Sequence, residues 1–198
     1  MILRREYKPR DYAPLALDFM SSRKRCALWA APGMGKTSLV YTLIDAYFVS
    51  GLLTAPVLVI GPLRVARDTW TDEVLKWNHL RELDTSFIGG TKAQRDAALK
   101  KDAQVFTTNY EQLPWLIEKL AGRWPFQMVV ADESTKLKGF RLQQGTRRAQ
   151  ALSKVAFQSE YWINLTGTPA PNGLTDLWGQ TWFLDEGKRL GTSYSAFC

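Results

Sequence analysis

A short glycine-containing segment constrains the fold of this chain more than any other part of the sequence. It reads AAPGMGKT over residues 30–37, after the apolar run Cys26–Trp29 and before a stretch of helical period. A strand, a glycine-rich loop and a helix in this order are typical of a phosphate-binding (Walker A) loop. Its glycines let backbone N–H groups turn toward phosphate oxygens, and the helix N-terminus favours anions. The alternative is an ordinary glycine-rich turn, which the flanking strand and helix patterns make the weaker interpretation.

The residues of this loop have expected roles in binding a nucleoside triphosphate. Lys36 is expected to reach the β- and γ-phosphates, and the Thr37 hydroxyl is expected to ligate Mg²⁺. The strict pattern opens with glycine where this sequence has Ala30. That departure is mild, since Gly33 and Gly35 remain closest to the phosphates. The loop residues predicted to contact the nucleotide are Pro32, Gly33, Met34, Gly35, Lys36, Thr37 and Ser38.

Short β-branched or aromatic runs alternate with longer segments of helical period along the chain. Strands are predicted at Cys26–Ala31, Pro56–Ile60, Thr85–Ile88, Gln104–Thr107, Gln127–Ala131 and Tyr161–Leu165. Helices are predicted at Lys36–Val49, Arg64–Trp77, Lys92–Lys101, Tyr110–Ala121, Gly145–Phe157 and Thr175–Phe183. This alternation predicts an α/β fold with a mostly parallel sheet and helices on both faces. Because no repeat or linker interrupts it, residues 1–198 are interpreted as a single domain.

Two adjacent carboxylates follow an apolar run near the middle of the chain. Asp132 and Glu133 come directly after Val129–Ala131, and the carboxyl ends of parallel strands are where such folds bind ligands. Asp132 is expected to hold Mg²⁺, partly through water. Glu133 is expected to orient or deprotonate an attacking water and is, with Lys36, a candidate catalytic residue. An isolated Asp-Glu pair is more often a helix N-cap, but the upstream phosphate loop favours the catalytic interpretation.

Composition narrows the class of partner. The chain has 26 Lys and Arg against 19 Asp and Glu, a formal net charge of +7, which favours a polyanionic partner without establishing one. Its two cysteines, Cys26 and Cys198, form no disulfide or zinc pattern. No apolar stretch is long enough to span a bilayer. We therefore expect no membrane partner and a cytoplasmic location.

Several further segments form a set of motifs in a fixed order. They are Val59–Leu63 followed by Trp70, Glu73 and Lys76–Trp77; Gly89–Thr91 with Arg95; Thr107–Glu111; Asp132–Lys138; and Leu165–Asn172 followed by Leu174, Leu177–Trp178 and Phe183–Leu184. Together with the phosphate loop, this order resembles the first lobe of superfamily-two helicase-like ATPases, most closely the Swi/Snf-type double-stranded DNA translocases. The Thr-Gly-Thr-Pro run at 166–169, with Asn172, is its most specific part.

The resemblance implies a RecA-like P-loop NTPase lobe that uses ATP and Mg²⁺ and acts on nucleic acid, chiefly double-stranded DNA. In such a lobe, Thr166, Gly167 and Thr168 would couple the nucleotide state to movement. A compact lobe with few insertions would also suit a phage-encoded protein. The residues that match the family's nucleic-acid contacts are Arg64, Arg67, Thr108, Asn109 and Tyr110.

The sequence departs from the family pattern at two places within the lobe. Ser134 and Thr135 stand where Ala-His is usual, so the contact made by that His must differ. Near the N-terminus, Lys8 and Arg10 match the region that contacts the base, but Asp11 stands where an adenine-reading Gln is expected. Asp11 could accept a hydrogen bond from the adenine amino group, yet it could not donate one to the ring nitrogen.

A third departure concerns the extent of the chain, which stops shortly after the last motif. We expect the second RecA-like lobe, with its arginine fingers, to be supplied in cis by a longer protein or in trans by another chain. Because an arginine finger contributes roughly 10³–10⁵ to phosphoryl-transfer rates, the lobe alone is expected to bind Mg·ATP weakly and hydrolyse it poorly.

Two other classes of function compete with a motor lobe. A non-catalytic module could keep this fold and bind nucleic acid or a partner lobe, but Lys36, Thr37, Asp132 and Glu133 are all present, which argues against a decayed site. A small-molecule kinase would also use a phosphate loop. It would not require the Thr-Gly-Thr-Pro run, and it is the weaker alternative.

Overall fold

Six strands form a single sheet in the computed structural model, which describes residues 3–198. They are β1 (Arg25–Trp29), β2 (Val57–Gly61), β3 (Thr85–Ile88), β4 (Val105–Asn109), β5 (Met128–Asp132) and β6 (Tyr161–Thr166). Their order across the sheet is β1-β6-β5-β2-β4-β3, and each neighbouring pair is parallel. The predicted α/β class with a parallel sheet is confirmed.

Helices connect the strands, as parallel pairing requires. Across the described residues they are α1 (Ala13–Ser21), α2 (Lys36–Val49), α3 (Trp70–Lys76), α4 (Lys92–Leu99), α5 (Leu113–Leu120), α6 (Arg147–Ser153), α7 (Asp176–Asp185) and α8 (Tyr194–Phe197). A π-helical turn, Val65–Thr69, precedes α3, and a 3₁₀ turn, Ser134–Leu137, follows β5. Further 3₁₀ turns lie at Asn78–Leu80, Tyr110–Gln112 and Ala156–Gln158.

Two apolar cores lie on opposite faces of the sheet. Alternate residues of β2 enter different cores, since Val57 and Val59 pack with α1, α2 and α3 whereas Leu58 and Ile60 pack with α4, α5, α6 and α7. This is the period-two alternation of a strand that is covered on both sides. All five residues of β2 are accordingly buried. The carboxyl edge of the sheet is therefore packed between two helical layers.

The main differences from the predicted elements concern helices. α1 lies outside every predicted helix, although Pro14 in its first turn and Ala13, Leu17 and Met20 at helical spacing are the signals of an amphipathic helix. The predicted helix Gly145–Phe157 shortens to α6 and a separate 3₁₀ turn. Among residues 3–198, no helix combines the length and apolar character needed to cross a membrane.

Candidate active site

The strand register brings the phosphate loop and the acidic pair to one edge of the sheet. β6 lies between β1 and β5, with Thr166 opposite Trp29 and Leu165 opposite Asp132. The loop that follows β1 and the turn that follows β5 therefore leave the sheet on either side of the end of β6. Open parallel sheets bind ligands outside this carboxyl edge.

The loop between β1 and α2 adopts a conformation that its two glycines allow. Gly33 and Gly35 have φ angles of 78° and 72°, in the left-handed region that strains other residues. Gly35 is also the N-cap of the 14-residue helix α2, so backbone N–H groups of the first helical turn face the loop. Lys36 Nζ donates to the carbonyl oxygens of Ala30 at 2.7 Å and Ala31 at 3.2 Å. The ammonium group is thus held at the loop.

A cavity of about 460 Å³ opens at this edge, within the size range of small-molecule sites. Lys36 and Asp132 both line it, so the proximity on which the nucleotide hypothesis depends is present in the structure. The other predicted residues that line the cavity are Lys8, Arg10, Gly33, Met34, Gly35, Thr37, Ser38 and Glu133.

Asp132 is almost fully buried at the end of β5, with 7% of its surface exposed. Its Oδ2 accepts a hydrogen bond from Trp70 Nε1 at 2.8 Å, and its Oδ1 accepts one from the Glu133 backbone N–H at 3.0 Å. Burial raises the pKa of Asp132, while the Trp70 hydrogen bond and the nearby Lys36 charge act in the opposite direction. The carboxylate is therefore fixed in orientation by its neighbours.

Thr37 and Asp132 form a donor set that fits Mg²⁺. This ion prefers oxygen ligands, keeps several waters and is usually bound by one or two carboxylates together with phosphates. Each Asp132 oxygen accepts one hydrogen bond and so retains a lone pair for an ion or its waters. In the part of the chain that the structure describes, no cluster of three or more His, Cys, Asp or Glu side chains could hold a metal. A Mg²⁺ ion here would need further oxygens from a nucleotide.

Glu133 adopts a left-handed backbone conformation, with φ 53° and ψ 54°, that is uncommon for a residue other than glycine. Its Oε2 accepts a hydrogen bond from Thr166 Oγ1 at 3.4 Å, and Thr166 Oγ1 accepts one from the Thr168 N–H at 3.1 Å. Gly167 lies against Pro32 of the phosphate loop. The three residues predicted to couple the nucleotide state thus touch both Glu133 and the loop.

Residues upstream of α1 close another side of the cavity. Arg5 forms a parallel bridge with Trp77, and Arg4 Nη1 donates to the carbonyl oxygens of Val74 and Trp77 at 2.6 and 3.1 Å. This arrangement places the Tyr7 ring 5.2 Å from the Trp77 ring in a T-shaped pair. Residues that line the cavity but were not predicted to bind the nucleotide are Tyr7, Ala13, Leu39, Glu73, Lys76 and Trp77. The motif that contains Glu73 and Trp77 was recognisable, but motif spacing does not show which side chains face the cavity.

Two residues predicted to bind the nucleotide do not line the cavity. Pro32 is exposed and packs against Gly167, and Asp11 is exposed at the turn before α1. Ala13 lines the cavity instead and is buried, and it has no polar side chain with which to read a base. The prediction that Asp11 contacts adenine does not fit this geometry, because the start of α1 turns that carboxylate to solvent.

The two arginines predicted to contact nucleic acid are accessible. Arg64 and Arg67 are exposed at the π-helical turn that follows β2. Arg67 pairs with its neighbour Asp68 at 2.7 Å, an exposed ion pair of the kind that contributes little to stability. Both guanidinium groups could therefore be presented to a phosphate backbone, and their role in binding stays a prediction.

The other three residues predicted to contact nucleic acid point into the protein. Thr108, Asn109 and Tyr110 are all buried. The Thr108 hydroxyl donates to the Ile88 carbonyl oxygen, and the Tyr110 hydroxyl donates to the Asp132 carbonyl oxygen, each at 2.8 Å. The hydroxyl groups of Thr108 and Tyr110 are thus engaged inside the protein, and the role of the three residues in binding nucleic acid stays a prediction. Tyr110 instead supports the end of β5.

Comparison with known proteins agrees with this geometry. The model of the family described as SNF2-related domain matches residues 15–194. The chain is 51% identical over 193 residues to protein p41 of Acyrthosiphon pisum secondary endosymbiont phage 1, covering 96% of this chain and 42% of that protein. It is 28% identical over 194 residues to the DNA excision repair protein ERCC-6-like of Mus musculus, covering 94% of this chain and 15% of that protein. The chain thus spans less than half the length of these relatives.

A solved structure shares the fold over the whole chain. The Sulfolobus solfataricus SWI2/SNF2 ATPase core, solved in complex with double-stranded DNA, superposes with a TM-score of 0.78 at 27% sequence identity. The match covers 100% of this chain and 40% of that chain.

Proposed function

Because this chain belongs to the SNF2-related domain family, we propose that it is the ATP-binding lobe of a helicase-like ATPase that moves along double-stranded DNA when a second lobe completes it. The observation that carries the proposal is that Lys36, Thr37, Asp132 and Glu133 all line the same cavity. A solved relative with the same fold is bound to double-stranded DNA, and the net charge of +7 favours such a polyanion here.

The loop residues would bind the triphosphate. The N–H groups at the start of α2 and the Lys36 ammonium group would contact phosphate oxygens. For Lys36, these oxygens would compete with the carbonyl oxygens of Ala30 and Ala31, to which its ammonium group donates in this structure. Thr37 and Asp132 would hold Mg²⁺, which supplies charge neutralisation of the phosphates when bound. Trp70 fixes the Asp132 carboxylate for this purpose.

Glu133 would act on the attacking water. Its carboxylate can accept a hydrogen bond from a water and then the proton as the water attacks the γ-phosphorus. The bond from that phosphorus to the β,γ-bridging oxygen would break in the same displacement, and ADP would leave with the electron pair. The Thr166 hydroxyl, donating to Oε2, holds the carboxylate in one orientation. Thr166 therefore positions the base, and the same contact links it to the Thr166–Thr168 segment.

Nucleotide binding by the 198-residue chain tests the proposal directly. A fluorescent ATP analogue should bind in the presence of Mg²⁺, and Lys36→Ala should weaken binding about ten-fold or more because it removes a charge-assisted contact to phosphate. Glu133→Gln should bind as wild type, since that residue is assigned to the water.

The exposed Lys154 provides a matched control, because Lys154→Ala removes the same charge away from the cavity. The proposal fails if Lys36→Ala and Lys154→Ala bind the analogue equally well, or if Mg²⁺ has no effect on wild-type affinity.

A further inference from the structure

A buried hydrogen bond joins the turn that carries Glu133 to helix α7. Ser134 follows Glu133 directly, is fully buried, and donates from its hydroxyl to the side-chain Oε1 of Gln180 at 2.9 Å. Burial of a hydroxyl and an amide is costly unless both are hydrogen-bonded. The contact therefore fixes the relative position of the turn and the helix.

The other polar groups of Gln180 are also engaged. Its Nε2 donates to the carbonyl oxygen of Pro169 at 2.5 Å and to that of Asp176 at 3.1 Å. The backbone carbonyl oxygen of Gln180 accepts a hydrogen bond from Asn164 Nδ2 of β6 at 2.8 Å. Gln180 thus connects Ser134 to the start of the segment that follows β6, residues 168–175.

A second contact runs beside the first one. Lys138 Nζ lies 3.2 Å from Asp176 Oδ2, which also accepts a hydrogen bond from the Asn172 N–H at 2.9 Å. The first path runs from Ser134 through Gln180 to Pro169, and the second runs from Lys138 through Asp176 to Asn172. Both paths therefore start in residues 134–138, directly after Glu133, and end in residues 168–175. Most of that segment is exposed, with Leu174 at 73%, so it is accessible to another lobe or chain.

We propose that Ser134 and Gln180 are positioning residues that transmit the state of the nucleotide site from Glu133 to residues 168–175. The inference rests on the proposed function, since it takes the cavity as an ATP site. A ligand that draws the Glu133 carboxylate toward water and phosphate competes with its 3.4 Å contact to Thr166. The left-handed conformation at Glu133 leaves the adjoining turn little freedom to absorb this change. The shift therefore passes through Ser134 to Gln180 and on to the Pro169 carbonyl group.

Hydrogen exchange of this same chain tests the proposal without a second lobe. Backbone amides in residues 168–175 should exchange about three-fold or more slowly when a non-hydrolysable ATP analogue and Mg²⁺ are added. In Ser134→Ala, nucleotide affinity should stay within about two-fold of wild type, whereas the change in exchange should fall below half of the wild-type value. Ser86→Ala is the matched control, since Ser86 is a buried serine that donates to the Ala98 carbonyl oxygen at 2.9 Å away from the cavity.

The double variant Ser134→Ala/Gln180→Leu separates transmission from packing. When both partners are apolar, Gln180 Oε1 is no longer buried without its donor, so stability should recover in part relative to Ser134→Ala; the recovery is partial because the Pro169 carbonyl oxygen loses its donor. Transmission should nevertheless remain lost, because the hydrogen bond to Pro169 is absent as well. Recovery of both stability and the exchange response would show that the pair only packs the helix, and would overturn the proposal.

The remaining outcomes are distinct. If wild type binds the analogue but exchange in residues 168–175 does not change, transmission is refuted while the proposed ATP site survives. If Ser134→Ala loses affinity and the exchange response together, the pair serves the site itself and the proposal is also refuted. If wild type binds no analogue, the proposed function fails, and this inference fails with it.

Discussion

Asp132 illustrates how neighbouring residues orient a single carboxylate, here the one proposed to bind the metal. Its side chain is bonded by Trp70 and by the Glu133 N–H, and its carbonyl oxygen accepts a hydrogen bond from the Tyr110 hydroxyl. The backbone of Trp70 is fixed in turn, because the Tyr41 hydroxyl donates to the Trp70 carbonyl oxygen at 2.9 Å. Partners of this kind orient ligands, and their loss typically weakens metal binding 10–100-fold.

Trp70→Phe should therefore raise the Mg²⁺ concentration needed for nucleotide binding by about ten-fold. Phenylalanine keeps most of the ring in the core but cannot donate to Asp132 Oδ2. The measurement is a Mg²⁺ titration of binding of the fluorescent ATP analogue.

Trp162→Phe is the matched control for this change. Trp162 is also fully buried, and its Nε1 donates to Asn164 Oδ1 at 2.8 Å instead of to a site residue. An equal Mg²⁺ requirement in both variants would show that the Trp70 hydrogen bond does not prepare Asp132.

Sequence patterns predicted four residues that line one cavity, but not the directions of their neighbours. Lys36, Thr37, Asp132 and Glu133 were identified because glycine spacing and a strand-end position fix where such groups lie. Thr108 and Tyr110 were assigned to nucleic-acid contacts because they match a motif of the family that the sequence resembles. Their burial follows from tertiary hydrogen bonds to Ile88 and Asp132, which local sequence does not reveal.

At the scale of elements, α7 is seated unusually close to the turn after β5. A Cβ atom on Gly179 would lie 2.6 Å from the carbonyl oxygens of both Leu137 and Lys138. Glycine is a poor helix former in a helix interior, so its presence in the middle of α7 is explained by this close backbone approach. The same approach brings Gln180 within reach of Ser134.

Gly179→Ala should lower stability even though alanine favours helix by about 1 kcal/mol. Overpacking against backbone atoms costs about 1–3 kcal/mol or more, because those atoms cannot turn aside as a side chain can. Because the added atom meets two backbone oxygens at 2.6 Å, we take the upper end of that cost, which leaves a net loss of about 2 kcal/mol after the helix gain. The Tm should then fall by about 4–8 °C, since 1 kcal/mol corresponds to about 2–4 °C at this chain length. Thermal melting followed by circular dichroism measures it.

Gly139→Ala provides the comparison, because the nearest atom to its added Cβ would be Thr146 Cγ2 at 3.7 Å, an ordinary contact. A Gly179→Ala variant that melts at or above the wild-type temperature would contradict the proposed reason for glycine in α7.

The strands were predicted to within two residues at each end, whereas helices were less regular than their patterns. Strand assignment succeeded because doubly covered strands are short apolar runs bounded by polar residues. The predicted helix at Arg64–Trp77 instead begins with a π-helical turn, a change of hydrogen bonding over a single turn that the apolar pattern of a helix does not reveal. α1 was detectable from Pro14 and the spacing of its apolar residues, but no helix was predicted there.

At the scale of the whole molecule, the cavity would form one side of the proposed phosphoryl-transfer site. Lys36, Thr37, Asp132 and Glu133 would supply phosphate, metal and water contacts, and Arg10, which comes from the residues before α1, is the one arginine among the described residues that line the cavity. Negative charge that develops on the γ-phosphate during hydrolysis would therefore be stabilised, within this lobe, by Lys36 and the metal. The family relatives are longer, and we propose that a second lobe supplies the missing cation.

The 198-residue chain should consequently turn over ATP about 10³-fold or more slowly than a two-lobe protein, since an arginine finger contributes roughly 10³–10⁵. We propose to make the two-lobe protein as a chimera in which this chain replaces the matched 42% of phage protein p41. Its ATP hydrolysis should rise on addition of duplex DNA, and Glu133→Gln in the same chimera should abolish the rise, because water activation is lost while nucleotide binding remains.

If the isolated chain hydrolyses ATP as fast as the chimera, catalysis does not depend on a second lobe. If the chimera binds nucleotide and DNA without turnover, the lobe is a binding module, and the motor interpretation is wrong at the level of the whole molecule even though the site is correct.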